Sequence, residues 1–426
     1  MTYAILSCIS LVFLGASWFL YRNKIELFLC LLIAMCFECF HLLPRIIGSD
    51  DYKLLIVLVI IVLFFEGLCS RRLALGRYGW WVISFLVISV FGVFVAWTSG
   101  QDILTGIKAA KFIPLVLVYF LLAGRTIQID KFSTYFILMG LAVSTVALIC
   151  FVTQGAVNPF LGLEKENLVD HLGRPRITVG QFVISVATVM AFARYKQNSN
   201  VLFQVAAIAL FAEVLFVQQT RGFIAAIVLS TFVVFALSIK LTPLRISFYL
   251  ILIGSVLAAA LFISPPDLSS LSVVERSKTD FSKKAGSYGN SAQARLNAYA
   301  FYWEEIQKNP ITGRGIYNFN WTGNTEKRLQ EVKGIHLSDI GIVSFVVQAG
   351  LIGVIWLGFG LLKIWKDIWH FRNHLVVSCY FIIATFTLPT LDMLFRRDSL
   401  FLFAIFLGLW SSIIVAVHSG KTTEGI

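Results

Sequence analysis

Residues Ser399–Val417 read SLFLFAIFLGLWSSIIVAV, a run without one ionisable side chain. Arg396, Arg397 and Asp398 stand directly before it and His418 directly after. A helix needs about 20 mostly apolar residues to cross the hydrocarbon core of a bilayer. The run is therefore read as a membrane span. The same pattern recurs towards the N-terminus, at approximately 3–21, 25–43, 54–70, 79–98, 104–124, 132–153, 177–194, 200–219, 222–239, 246–264, 341–362 and 374–392. The expected fold is all-α: a polytopic membrane protein of about 12–13 transmembrane helices. The span at 104–124 carries Lys108, Lys111 and Pro114, which places its first half at the membrane interface. The hydrophobic N-terminus lacks a basic leader and reads as a first span rather than a signal peptide.

Composition agrees. Of 426 residues, 58% are hydrophobic and 14% charged, against about 45–50% and about 25% in soluble domains. That excess excludes a secreted globule, a disordered chain and a soluble multidomain enzyme. Net charge is +12, but no contiguous soluble basic domain exists, so no nucleic-acid partner is expected. The basic residues set topology instead. Alternate short loops carry Arg22 and Lys24; Arg71, Arg72 and Arg77; Arg125 and Lys131; Arg194 and Lys196; Lys240 and Arg245; Lys363, Lys366 and Arg372. These are expected to be cytoplasmic, and the opposite loops periplasmic or extracellular. All seven cysteines fall in apolar stretches, and the Cys36–Cys39 pair reads as helix packing rather than a zinc site.

The chain divides into transmembrane helices over 1–264, a large external loop over 265–340, and C-terminal helices with a short tail over 341–426. A connection this long is usually functional or disordered. Asn290 or Ser291 can cap a helix running to about Lys308. Asn309-Pro310 ends it, and Thr312-Gly313-Arg314-Gly315 forms a turn.

The informative charges lie outside the topogenic set. Arg221 stands in the sequence Gln218-Gln219-Thr220-Arg221-Gly222 at the outer end of a span. Arg174 and Arg176 follow His171 in one external loop, and Arg396 and Arg397 sit in another. Arg295 opens the expected loop helix, and Arg314 lies in its terminal turn. Arginine at a membrane surface can clamp phosphate bidentately, or anchor a helix end at lipid headgroups. His336 stands just before a span, with Asp339 three residues on. A histidine there can accept a proton near neutral pH, or simply cap the helix. Glu38, Glu66, Glu213 and Asp392 are membrane-embedded acids, costly and often functional; Lys108 and Lys111 are natural partners for one of them. Gly350 and Gly353 form a GxxG that reads as close helix packing.

In order, these are an RG at the end of a mid-chain span, a late loop holding Arg295, Trp303 and Pro310-x-x-Gly313-x-Gly315, then His336, then the GxxG. The pattern, from about 177 to 365, resembles the O-antigen ligase and Wzy-type polysaccharide polymerase superfamily. The resemblance implies a GT-C-like fold and a metal-independent, cofactor-free inverting glycosyltransferase. Its donor would be an oligosaccharide on undecaprenyl diphosphate, used at the outer face of the bacterial inner membrane. It implies Arg221 and Arg295 as essential arginines and His336 as the essential histidine. Arg174, Arg176, Arg314, Arg396, Arg397, Asp339 and Trp303 are candidate contacts for diphosphate or glycan. The acceptor would be a growing glycan or lipid A-core, with membrane lipid and a chain-length regulator as further partners. The ligase signature places Asn, Ser or Gln directly after the histidine and a GxxG about eleven residues on. In this chain Leu337 takes that place and Gly350 falls a helical turn later, which favours polymerisation of O-antigen or exopolysaccharide units over ligation. A flippase of lipid-linked sugars is the reading from another class. It predicts internal repeats and polar residues through span centres.

Overall fold

The computed structural model describes residues 2–37, 39, 49–157, 177, 179–239, 291–318, 321, 323, 337–389 and 397–418. The described elements are α1 (Thr2–Asn23), α2 (Ile25–Cys36), α3 (Ser49–Cys69), α4 (Gly79–Thr98), α5 (Ile103–Ala109), α6 (Ile113–Leu122), α7 (Ile129–Val152), α8 (Gln181–Asn198), α9 (Val201–Glu213), α10 (Arg221–Ser238), α11 (Ser291–Lys308), α12 (Ile342–His370), α13 (Leu375–Thr387) and α14 (Arg397–His418). No strand occurs among them. Among the described residues six helices are long and apolar enough to cross a membrane, or seven if α5 and α6, bent by 49°, are counted as one span. The fold is an all-α, multi-pass membrane bundle. Each expected span overlaps a helix except 246–264, which lies outside the described residues, as do the last residues of the spans expected at 25–43 and 374–392. The segment 104–124, whose first half the sequence places at the membrane interface, is bent between α5 and α6. Ile103, Leu104 and Ile107 of α5 are exposed beside Lys108, as an interfacial helix requires.

Among the six candidate spans, the most apolar, α14, is also the most buried. α14 packs on α6, α13 and α2, and Trp410, Phe401 and Phe406 are fully buried. Lipid tails are as apolar as leucine, so close packing rather than hydrophobicity selects the central helix. Ala404, Gly408, Ser411 and Ser412 on α14 permit that approach. A Cβ on Gly408 would lie 2.8 Å from the Leu122 side chain. The peripheral helices turn Trp80, Leu202, Phe359 and Leu362 outward, the surface a bilayer covers.

Among the described residues the basic loops gather at one end of the bundle, the basic end; Lys240 and Arg245 lie outside them. Arg77 grips buried Asp367 through Nε at 3.1 Å and Nη2 at 2.9 Å, and the Tyr78 hydroxyl donates to the same carboxylate at 2.7 Å. The Arg77 amide donates to the Ser411 hydroxyl at 2.8 Å. Arg194 pairs with Asp130, Arg125 donates to the Tyr21 carbonyl, and Gln197 reaches the Asn373 carbonyl. Glu66 lies near this end rather than at mid-membrane; its partners are Arg22 and the Trp18 indole, not Lys108 or Lys111. Glu38 and Asp392 lie outside the described residues.

Candidate functional site

The opposite end carries α11 and the turn after it. α11 stops at Lys308 because Pro310 cannot continue it. The Gly313 amide then donates to the Asn309 carbonyl at 2.9 Å. The GxxG proves to mark a helix break. α12 is interrupted at Gly350, whose φ of 57° and ψ of −153° are not helical. A helix break strands amides and carbonyls, and the Pro310–Gly315 segment takes them up. The Arg314 and Gly315 amides donate to the Val347 and Gln348 carbonyls at 2.9 and 3.0 Å. In return the Leu351 and Ile352 amides donate to the Pro310 and Ile311 carbonyls at 2.9 and 3.2 Å. The two motifs are one interlocked unit. A Cβ on Gly350 would sit 2.4 Å from the Gly313 nitrogen, and one on Gly313 2.5 Å from the Gln348 carbonyl. Gly350 serves loop insertion rather than helix–helix packing.

The unit is clamped from its other side by α4. The Ile316 amide donates to the Gly92 carbonyl at 2.9 Å, and a Cβ on Gly315 would lie 2.4 Å from that carbonyl oxygen. Gln101 completes the clamp: its Nε2 donates to the Ile316 carbonyl and its Oε1 accepts from the Asn318 amide. Arg314 is buried at 5% exposure, with its guanidinium near the Tyr302 and Tyr317 rings, at 5.9 and 5.2 Å. It therefore sits inside the loop scaffold, whereas Trp303 on α11 is 60% exposed.

α11 is docked by a small apolar cluster of Ala298, Tyr302, Leu337, Ile340 and Val347. Leu337 and Ile340 belong to a single 3-10 turn, Leu337–Ile340, which also contains Asp339. Arg295 falls one turn before Ala298 on α11, and Leu337 is the sequence neighbour of His336. The Tyr299 hydroxyl donates to the Pro389 carbonyl at 2.6 Å, joining α11 to the end of α13. α13 in turn packs along α10, whose first residue, at this same end, is Arg221.

Arg221 is presented by a turn of unusual build. α9 passes at Glu213 into a π-helical turn, Val214–Gln218, closed by the Gln219 amide on the Val214 carbonyl at 2.9 Å. Gln219 then adopts the left-handed region, φ 54°, and Thr220 leads into α10. Glu213 is buried at 6% exposure and its Oε2 accepts from Gln218 Nε2 at 2.7 Å.

Residues 205–357 match the family model described as O-antigen ligase. Over that segment the chain is similar to the O-antigen ligase-related superfamily. The matched domain runs from α9 into α12 and so contains Arg221, Arg295, both halves of the interlock and His336. It supports a ligase- or polymerase-type function in general terms. No curated protein matches the chain.

Within the family domain, the structure brings the stations of Arg221 and Arg295 to one end of the bundle, around the end of α13. His336 lies outside the described residues, as do Arg174, Arg176 and Arg396. Arg397 is the first residue of α14, and its neighbour Asp398 accepts an ion pair from Lys53 at 3.0 Å. Lys53 is buried and holds the start of α14 against α3. Sequence reasoning passes over it, because a lone lysine beside an external loop carries no pattern of its own.

Proposed function

We propose that this protein is a bacterial inner-membrane glycosyltransferase that transfers a glycan from undecaprenyl diphosphate to an acceptor hydroxyl at the outer face. The reaction best fitted by the sequence is polymerisation of O-antigen or exopolysaccharide repeat units. The observation that carries the reading is the extent of the family domain, 205–357, which includes every motif of the ordered pattern. Supporting it, the basic loops gather at one end and α11 with Arg295 docks at the other, as an externally facing site needs.

The chemistry follows from charge. The bond between the anomeric carbon and a diphosphate oxygen breaks, and its electron pair leaves with the diphosphate. Arg221 and Arg295 stabilise that developing negative charge as preorganised cations. The acceptor oxygen bonds to the anomeric carbon from the opposite face, inverting it, and its proton passes to His336. Trp303, exposed on α11, offers a ring face for a sugar. Arg314, buried beside Tyr302 and Tyr317, holds the loop that the glycan would cross. The diphosphate stays at the membrane surface because its lipid tail stays between helices.

Ligation to lipid A-core is the second reading, favoured by the family's description as O-antigen ligase. Arg221→Ala, Arg295→Ala and His336→Ala separate the site from its surroundings in a reconstituted reaction. Each is expected to lower product by about 10²–10³-fold or more while leaving protein levels intact. Full activity in any of them removes that residue from the mechanism.

A further inference from the structure

Among the described residues, Glu213 is a buried embedded acid that the proposed chemistry leaves unused. It lies at the end of α9 nearest the site, 6% exposed, with Oε2 held by Gln218 and Oε1 buried without a hydrogen-bond partner. Among the described residues no basic side chain forms an ion pair with it. A leucine at this position would pack without any polar cost, so the acid calls for a reason.

The local geometry supplies one. Glu213 and Gln218 are five residues apart, the spacing of a π turn and not of an α turn. A π turn inserts one extra residue, which rotates the exit of the helix by about 100°. The side-chain bond from Gln218 to Glu213 spans that turn end to end. The backbone bond from Gln219 to Val214 closes it beneath, and Gln219 Nε2 caps it on the Phe216 carbonyl at 2.8 Å. The Ile177 amide also reaches the Val217 carbonyl at 3.4 Å. Arg221 follows Gln218 by three residues, so its azimuth at the end of α10 is set by this turn.

We infer that Glu213 is a positioning residue: through Gln218 it holds the π turn that aims Arg221 at the diphosphate of the lipid-linked donor. The inference rests on the proposed role of Arg221 as a diphosphate ligand. It makes Glu213 act through Arg221 and nowhere else. Glutamine at 213 keeps an acceptor for Gln218; leucine removes it.

The test is binding of undecaprenyl diphosphate to the full chain in nanodiscs. Arg221→Ala is expected to weaken binding about 10–100-fold, the range for loss of a charge-assisted hydrogen bond. Glu213→Leu is expected to weaken it about 3–10-fold, and Glu213→Gln to stay within about twofold of wild type. Added to Arg221→Ala, Glu213→Leu is expected to cause no further loss, which a merely structural role would not produce. Gln218→Leu carries the same expectation should Glu213→Leu fail to fold. Normal binding by Glu213→Leu or Gln218→Leu, with Arg221→Ala defective, overturns the inference and spares the role of Arg221. A full additional loss in the Arg221→Ala background also overturns it. Normal binding by Arg221→Ala overturns the role of Arg221 and the inference with it.

Discussion

Replacing Gly350 by alanine tests the interlock between the loop and the broken helix. At φ 57° and ψ −153°, Gly350 occupies a region that costs a residue with a Cβ about 1–3 kcal/mol. The added carbon would also stand 2.4 Å from the Gly313 nitrogen and 2.5 Å from the Ile311 carbonyl oxygen. Both are backbone atoms and cannot rotate away. Relief requires the Pro310–Gly315 segment to withdraw from the break. That loosens the hydrogen bonds of Arg314, Gly315, Leu351 and Ile352, each worth about 1 kcal/mol net. The sum is about 5–7 kcal/mol, enough to open the loop locally without unfolding the bundle. Hydrogen–deuterium exchange in nanodiscs reads this directly. Peptides covering 310–318 and 345–355 are expected to exchange about 10²-fold faster or more, since each 1.4 kcal/mol is tenfold. Peptides around Arg77 and Asp367, at the basic end, are expected to be unchanged. Gly358→Ala serves as control, because a Cβ there meets nothing within 4 Å. Wild-type exchange and activity in Gly350→Ala would refute the interlock.

Arg77→Leu is expected to lower thermal stability by about 2 kcal/mol, because buried Asp367 keeps only the Tyr78 hydroxyl of its described partners; melting in detergent measures it. Lys53→Met leaves Asp398 without its buried ion pair and is expected to loosen the start of α14, read as faster exchange over 397–402 with the basic end unaffected. Asp102 caps α5, and bonds from the Thr105 hydroxyl and amide hold its carboxyl below the usual range. The cap is therefore present above about pH 4, the ordinary carboxylate range, and is lost as pH falls through the lowered value. Protection of the Thr105 amide, compared with Asp102→Asn at each pH, is expected to diverge above about pH 4 and converge well below it.

Much of the bundle is legible in the sequence because membrane spans announce themselves: Ser399–Val417 has no charge, and α14 follows it. α11 is legible from Asn309-Pro310, which stops a helix whatever surrounds it. The interlock is half visible. Pro310, Gly313, Gly315 and Gly350 all stand out, yet GxxG alone does not distinguish helix packing from a helix break. The distinguishing signal is the pairing of two glycine motifs, each needing left-handed backbone. Glu213 stands out as an embedded acid, but its partner lies five residues on, a spacing that α-helical reasoning passes over. Lys53 pairs with Asp398 across nearly the whole chain, a contact that no local pattern encodes. Arg314 reads as a surface clamp in the sequence, and its burial against Tyr302 and Tyr317 arises only when α11 folds back over the turn.

The most direct test is a reaction of the purified protein in nanodiscs with undecaprenyl-diphosphate-linked repeat units as sole substrate, with and without lipid A-core. Products are read by gel and mass spectrometry. A ladder of glycans formed without lipid A-core is the result expected of a polymerase. A single transfer seen only when lipid A-core is added would contradict polymerisation in favour of ligation, and no transfer with native glycans would contradict glycosyl transfer itself.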